Sequence, residues 1–359
     1  MARILVLGGA GEMGKRVVDE LIQMSRAEVA IGDAREEAAR QVAAKYPGRA
    51  SALKVDALDT AGLAKAMGDA DVSVNCVGPH YRFAVPIARA ALKAGAVLTD
   101  ICDDFEPAME LLAMDGEARK AKAAVVTGVG WTPGLSNLFA RLGTEEVPGA
   151  REARIAWTGD GNAEGLAVIE HMLTIITGDV ASYRDGKLVK VPAMGGAERL
   201  DFPEPVGRAT VYDVGHPEPV TVPKFLPQLR TVTLKGGIVP AWSNGFLRLL
   251  ASLGMTRTPE KRKRLSKRIH GLAHWGPFRR SLSKVTLSTL RVEVRGDGAS
   301  KAYTAIDVMD RLTGIPCAVG ALRLAAKRGE PGVFAPEGYF EPRPFLEEVA
   351  RRGVKLGGL

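Results

Sequence analysis

Three glycines, Gly9, Gly11 and Gly14, stand at G-x-G-x-x-G spacing directly after the apolar run Ile4, Leu5, Val6, Leu7. That spacing suits a pyrophosphate cradle. The first glycine allows a tight turn, the second lets main chain approach the phosphates, and the third lets the following helix pack on the strand. Val17, Val18, Leu21 and Ile22 continue as a helical stripe, so the helix N-terminus would aim its free N–H groups at the diphosphate. Asp33 lies nineteen residues beyond Gly14 and closes a second apolar run, EVAIG. A carboxylate there accepts hydrogen bonds from an adenosine ribose. It also repels a 2′-phosphate, which favours NAD over NADP. Arg35 can bind that phosphate and keeps NADP open. The expected cofactor-binding set is Gly9, Ala10, Gly11, Glu12, Met13 and Gly14 of the turn, Asp33, Ala34 and Arg35 after the second strand, Asp56 after the third, and Val77, Gly78 and Pro79 after the fourth. A doubly wound domain with a different nucleotide, or none, is the alternative.

The elements that must hold these residues follow a strand–helix alternation. Helical segments are expected over Arg35 to Lys45, Leu63 to Met67, Pro86 to Ala94 and Pro107 to Lys122. Strands are expected at Ala52 to Val55, Asp71 to Cys76, Ala96 to Ile101 and from Val125 to Thr127. This rhythm predicts an α/β fold, a Rossmann-type doubly wound parallel sheet with right-handed crossovers. It breaks after Gly130. Longer strands follow, together with a helix over Glu164 to Thr177 and an Asp185-Gly186 pair that signals a hairpin. They predict an inserted α+β domain containing a mostly antiparallel sheet. The expected division is a dinucleotide-binding domain over 1–135, a substrate or dimerisation domain over 136–304, and a closing segment over 305–359 that packs back on the first. In that segment a helical period runs to about Arg328, Pro- and Gly-rich turns follow, and a last helix is expected near Pro344 to Arg352.

A chain of 359 residues with 46% hydrophobic content fits two globular domains. No apolar run approaches the ~20 residues of a membrane span, and no secretory signal is expected. Cys76, Cys102 and Cys317 are few and widely spaced. They argue for a reducing cytoplasm rather than a disulfide framework. No C-x-x-C or H-E-x-x-H pattern occurs, so no metal site is expected. The net charge of +8 is concentrated over residues 257–284, where ten Lys and Arg are opposed only by Glu260. Leu265, Ile269, Leu272 and Trp275 would share one helical face there, with the bases on the other. This pattern fits a solvated helix face or weak contact with an anionic membrane surface. Sparse aromatic residues argue against nucleic acid. His270 and His274 lack a third ligand and read as surface residues.

Ligands of an open parallel sheet bind beyond the carboxyl ends of its strands. That rule selects the loops Gly8 to Gly14, Gly78 to Phe83, Asp100 to Asp104 and Gly128 to Asn137. The second supplies His80, Tyr81 and Arg82, with His80 placed as a proton carrier. The third brings Asp100, Asp103 and Asp104 to one strand end, and the fourth carries Thr132, Ser136 and Asn137. Strand-end carboxylates suit a cationic amino group and Arg82 suits a carboxylate. Tyr81, Asp100 and Asp103 are the expected catalytic residues. Each has a structural alternative: Tyr81 packing beside the turn, Asp100 capping a helix or pairing with Arg82, and Asp103 and Asp104 opening the next helix. His171 and His216 read as structural.

The run NCVGPHYRFAVPIARAALKAGAVLTDICDDFEPAMELL, followed by GVGWTPGLSN, resembles the saccharopine dehydrogenase-like NAD(P)-dependent oxidoreductases, relatives of lysine 6-dehydrogenase and carboxynorspermidine synthase. The resemblance covers about the first 140 residues strongly and the rest through domain order. It implies hydride transfer at an amine or imine carbon of a small amino-acid-like substrate, NAD or NADP as cofactor, and a homodimer. Saccharopine-forming relatives carry a GLDPG-type turn where this chain has Trp131-Thr132-Pro133-Gly134, so an acidic residue of that turn is absent. The rival expectation is a membrane-surface dinucleotide-binding protein, either a lipid-modifying reductase or a non-catalytic redox-sensing scaffold. Tyr183 and Lys187 match a Y-x-x-x-K pattern, but Asp185-Gly186 between them predicts a hairpin instead of the shared helix that pattern needs.

Overall fold

The structure is a computed structural model and describes residues 1–160, 165–273, 287–327 and 329–359. From the N-terminus run β1 (Arg3–Leu7), α1 (Glu12–Met24), β2 (Glu28–Asp33), α2 (Glu36–Ala43), β3 (Ala50–Lys54) and α3 (Thr60–Gly68). Then come β4 (Val72–Asn75), α4 (His80–Ala94), β5 (Val97–Asp100), α5 (Phe105–Ala113), α6 (Asp115–Lys120), β6 (Ala124–Val126) and α7 (Leu135–Glu146). The next stretch holds β7 (Glu152–Asp160), α8 (Leu166–Ile175), β8 (Asp179–Arg184), β9 (Lys187–Pro192), β10 (Glu198–Asp201), β11 (Arg208–Asp213) and α9 (Glu218–Phe225). It continues through β12 (Thr231–Val239), α10 (Trp242–Ser252), α11 (Pro259–Ala273), β13 (Ser288–Arg295) and β14 (Ser300–Asp307). Last are α12 (Met309–Ala326), β15 (Gly332–Phe334), α13 (Pro336–Tyr339), α14 (Pro342–Arg351) and β16 (Lys355–Gly357).

The chain divides into two units. Met1–Leu138 and Asp310–Gly353 form the first, Phe139–Met309 and Val354–Leu359 the second. Among the described residues, the first unit holds a seven-stranded sheet in the order β15-β6-β5-β4-β1-β2-β3, with every pairing parallel. Ile4, Val6, Val72, Val74 and Leu98 are fully buried, as a parallel sheet covered on both faces requires. The order reverses between β2 and β4 on either side of β1. That topological switch opens a crevice at the carboxyl edge.

Among the described residues the second unit holds a nine-stranded sheet, antiparallel except where β12 runs parallel to β7. The α/β fold with a second, mixed sheet is therefore present, and the β7–β12 pair is a feature the hairpin signals did not convey. Asp185 and Gly186 both adopt positive φ and close the β8–β9 hairpin, where Tyr183 and Lys187 lie on opposite strands.

Several boundaries differ from expectation. The helix expected over Pro107 to Lys122 breaks at Met114 into α5 and α6. Helix α4 begins at His80, six residues early, because Pro86 is tolerated inside it. The Gly- and Pro-rich stretch before the last helix contributes β15, a seventh strand on the edge beside β6. The final residues leave the first unit, with β16 pairing to β14. Returning α12 is tied to α1 by Arg16, whose Nε and Nη2 donate to Asp310 Oδ2 at 2.8 and 2.6 Å. In the basic segment Leu265 is buried and Leu272 is exposed. Glu164, Arg328 and the 274–284 part of the basic segment, with His274 and Trp275, lie outside the described residues.

Candidate active site at the carboxyl edge of the parallel sheet

Strand register places the site residues in one row. Gly32 pairs with Leu7, Leu7 with Asn75, and Asn75 with Asp100. At roughly 4.8 Å per strand, Asp100 lies about 10 Å from the end of β1 on one side. Asp33 lies past the neighbouring strand on the other. The glycine turn rises between them.

Gly8 makes that turn, with a φ of +71° and its N–H donated to Gly32 O at 2.7 Å. This corrects the assignment of the tight bend to Gly9, whose added Cβ would instead meet Ile31 and the Val6 carbonyl. Gly14 behaves as expected: a Cβ there would stand 2.1 Å from Gly8 O, so only glycine lets α1 lie against the turn. Helix α1 starts from Gly11 with no side-chain cap. The first-turn N–H groups, of Glu12, Met13 and Gly14, are left for an anion. These features fit the diphosphate of a dinucleotide.

Asp33 Oδ2 accepts the Ala10 N–H at 3.3 Å, and Oδ1 accepts Arg35 N–H and Nε at 2.9 and 3.3 Å. The carboxylate thus ties the second strand to the glycine turn. The Arg35 side chain is 67% exposed and lies beside it. Ala34 is exposed at the same strand end. Asp56 is exposed and spends Oδ1 on the Leu58 N–H at 2.9 Å, an Asx turn. After β4, the Val77 N–H donates to Asn75 Oδ1 at 2.9 Å, and Gly78 and Pro79 are half-buried ahead of α4.

On the other flank, Asp100 is 1% exposed. Its Oδ1 accepts the Gly128 N–H at 2.8 Å, Thr127 Oγ1 at 2.9 Å and the Cys102 N–H at 3.0 Å. Its partners are these backbone and hydroxyl donors, not Arg82 and not a helix end. Oδ2 is buried with no hydrogen-bond partner among the described residues. Burial pushes the Asp100 carboxyl above its ordinary range, against the charge of nearby His80 and the three donors. His80 is itself buried at the start of α4, and its Nδ1 has no partner among the described residues.

Asp104, buried before α5, accepts the Tyr81 N–H at 2.9 Å and so caps α4. The Tyr81 side chain is 37% exposed. Asp103 is half-buried in the loop between β5 and α5. Arg82 is exposed and lies over the Phe83 ring at 4.9 Å. In the fourth loop Asn137 Oδ1 accepts the Gly134 N–H at 2.8 Å, and its Nδ2 donates to Glu337 Oε2 at 2.9 Å. Glu337 on α13 is 2% exposed and was not foreseen, since nothing near it in sequence marks a site. Nor was the contact of Cys76 with Cys317 of α12, whose hydrogen bond and burial raise the Cys317 thiol.

Residues 4–129 match the family described as Saccharopine dehydrogenase NADP binding domain. Over that stretch, about a third of its length, the chain is similar to this family's domain. The matched stretch lies within the first unit, and the model it matches is that of a nicotinamide-dinucleotide-binding domain. The apo saccharopine dehydrogenase (L-Glu forming) of Saccharomyces cerevisiae superposes with a TM-score of 0.71 at 16% identity, covering 100% of both chains, and shares the fold. A putative myo-inositol dehydrogenase from Sinorhizobium meliloti gives a TM-score of 0.48 at 14% identity over 100% of this chain and 99% of its own. No curated protein matches the sequence. No helix among the described residues is long and apolar enough to cross a membrane.

Proposed function

We propose that the chain oxidises an amine, or reduces the corresponding imine, on a small amino-acid-like substrate, and that it takes NAD ahead of NADP. The observation that carries this reading is the buried, unpartnered Oδ2 of Asp100, held beside the switch point on the flank opposite Asp33. A bound dinucleotide would accept or give the hydride. Gly9, Ala10, Gly11, Glu12, Met13 and Gly14 would hold its phosphates, Asp33, Ala34, Arg35 and Asp56 its adenosine end, and Val77, Gly78 and Pro79 its nicotinamide end.

In the oxidative direction the substrate carbon loses a hydride and its ammonium group loses a proton, leaving an iminium. Asp100 takes that proton at Oδ2, where burial already favours the protonated form. His80 adjoins it as the next carrier, Tyr81 offers a hydroxyl, and Asp103 attracts the cationic amino group. Arg82 supplies a counter-charge for a substrate carboxylate. Asp33 accepts from the ribose hydroxyls, and Arg35 reduces the penalty for a 2′-phosphate. Three free cysteines support work in a reducing compartment, the cytoplasm.

The test is a panel of amines, amino acids and keto-acid/amine pairs, followed by nicotinamide absorbance with NAD and with NADP. Turnover of an amino-acid-like amine or its imine is the expected result. Turnover confined to alcohols, or binding of neither dinucleotide, contradicts the reading.

A further inference from the structure

Helix α10 carries its large apolar side chains on the outside. Trp242, Phe246, Leu249 and Leu253 follow each other at helical spacing along one face, and they are 47%, 47%, 54% and 65% exposed. This is not a loosely held helix. Leu250 on the flank of the stripe is buried, and on the opposite face Asn244 clasps the end of β12 by accepting the Ile238 N–H at 2.9 Å and donating to Ile238 O at 2.8 Å. The stripe is therefore held outward by a fixed backbone. A contiguous apolar patch of this kind on a folded surface marks an interaction site.

The stripe ends where a basic helix begins. Lys261 Nζ donates to Gly254 O at 3.1 Å and Arg262 Nη1 to Thr256 O at 3.0 Å, which fastens the start of α11 to the end of α10. Beyond these, Lys263, Arg264, Lys267 and Arg268 are exposed, with Arg257 ahead of the helix. Buried Leu265 and the packing of α11 on α8 hold the helix in place. An outward apolar stripe joined to a cationic helix is the composition of a surface that sinks side chains into a lipid interface while its bases face anionic headgroups.

We propose that α10 and α11 form a docking surface for an anionic lipid bilayer. Charge complementarity selects this occupant. A second copy seated on the same patch would bring two cationic α11 helices together, and like charges oppose that pairing. A nucleic acid would use the bases but would leave Leu249 and Leu253 without a role. The dinucleotide turn belongs to the other unit of the chain, so docking is separable from the redox reading.

The test is flotation of the full chain with phosphatidylcholine vesicles, prepared with and without phosphatidylglycerol. Co-flotation is expected with the anionic vesicles alone, largely lost at about 0.5 M salt. The combined Lys263→Glu and Lys267→Glu substitutions should weaken it about tenfold or more, as should Trp242→Ser with Leu253→Ser. Both variants should keep the wild-type melting temperature and dinucleotide binding. Tryptophan emission should shift to the blue on anionic vesicles, and Trp242→Phe should abolish that shift. Four results overturn the proposal: no flotation, equal flotation on neutral vesicles, stripe variants that float like wild type, or dissociation of a dimer by the stripe variant in the absence of vesicles.

Discussion

Asp33 and Asp100 are two carboxylates at the same edge of one parallel sheet, and they stand in opposite settings. Both oxygens of Asp33 are engaged by Ala10 and Arg35, and the Arg35 head lies in water beside it. Asp100 has three donors crowded on one oxygen and, among the described residues, none on the other, and its burial raises its carboxyl. A carboxylate with both oxygens paired beside an exposed arginine is a fixed acceptor, suited to recognition. A buried one with an unused oxygen is poised to gain and lose a proton. The turn between them makes the contrast useful, because a dinucleotide laid across it would put its sugar at one carboxylate and its reacting end at the other.

The largest effect should come from removing what both flanks share. Gly14→Ala places a methyl against Gly8 O, so binding of either dinucleotide should vanish in a fluorescence titration. A urea melt should show a stability loss of about 1–3 kcal/mol. Next comes Asp100. Asp100→Asn keeps an acceptor for Thr127, Gly128 and Cys102, so it should fold and bind dinucleotide while turnover falls about a hundredfold or more. Asp100→Ala should in addition destabilise the protein by about 1–3 kcal/mol, because buried donors lose their acceptor. An Asn variant with wild-type turnover would break the comparison.

Asp33→Ala should weaken NAD by about tenfold, the equivalent of one to two net hydrogen bonds, and leave NADP nearly unchanged. Arg35→Ala should do the reverse and weaken NADP alone. Equal losses in either variant would remove the stated cofactor preference. The smallest effect concerns pH. The folded-state carboxyl of Asp100 is raised, so the stability it contributes is full below the unfolded-state value and declines as pH rises through the folded-state value. Asp100→Asn removes that decline. Its stability relative to wild type should therefore improve from acid toward neutral pH in denaturant titrations.

Much of the nucleotide half was legible because local sequence fixes it. A glycine turn after a buried strand, and an acid closing the next strand, follow from backbone sterics alone. The bend at Gly8 rather than Gly9 was hidden because the two glycines are adjacent and the G-x-G-x-x-G spacing falls on Gly9, Gly11 and Gly14. Asp100 could be placed at a strand end, but its partners could not. Thr127 and Gly128 reach it only because β5 and β6 pair. Glu337 lies two hundred residues from Asn137 and carries no local signal. In the second unit Asp185-Gly186 announced its hairpin, whereas the β7–β12 pairing is non-local and left no local trace. The stripe on α10 was missed because its spacing matches that of a buried face, and only burial distinguishes the two.

Amide hydrogen exchange with and without NADH tests the central claim most directly. If a dinucleotide lies across the turn, NADH should slow exchange at residues 8–14, 33–35 and 76–79 together. Unchanged exchange there, or protection confined to another part of the chain, would contradict the account.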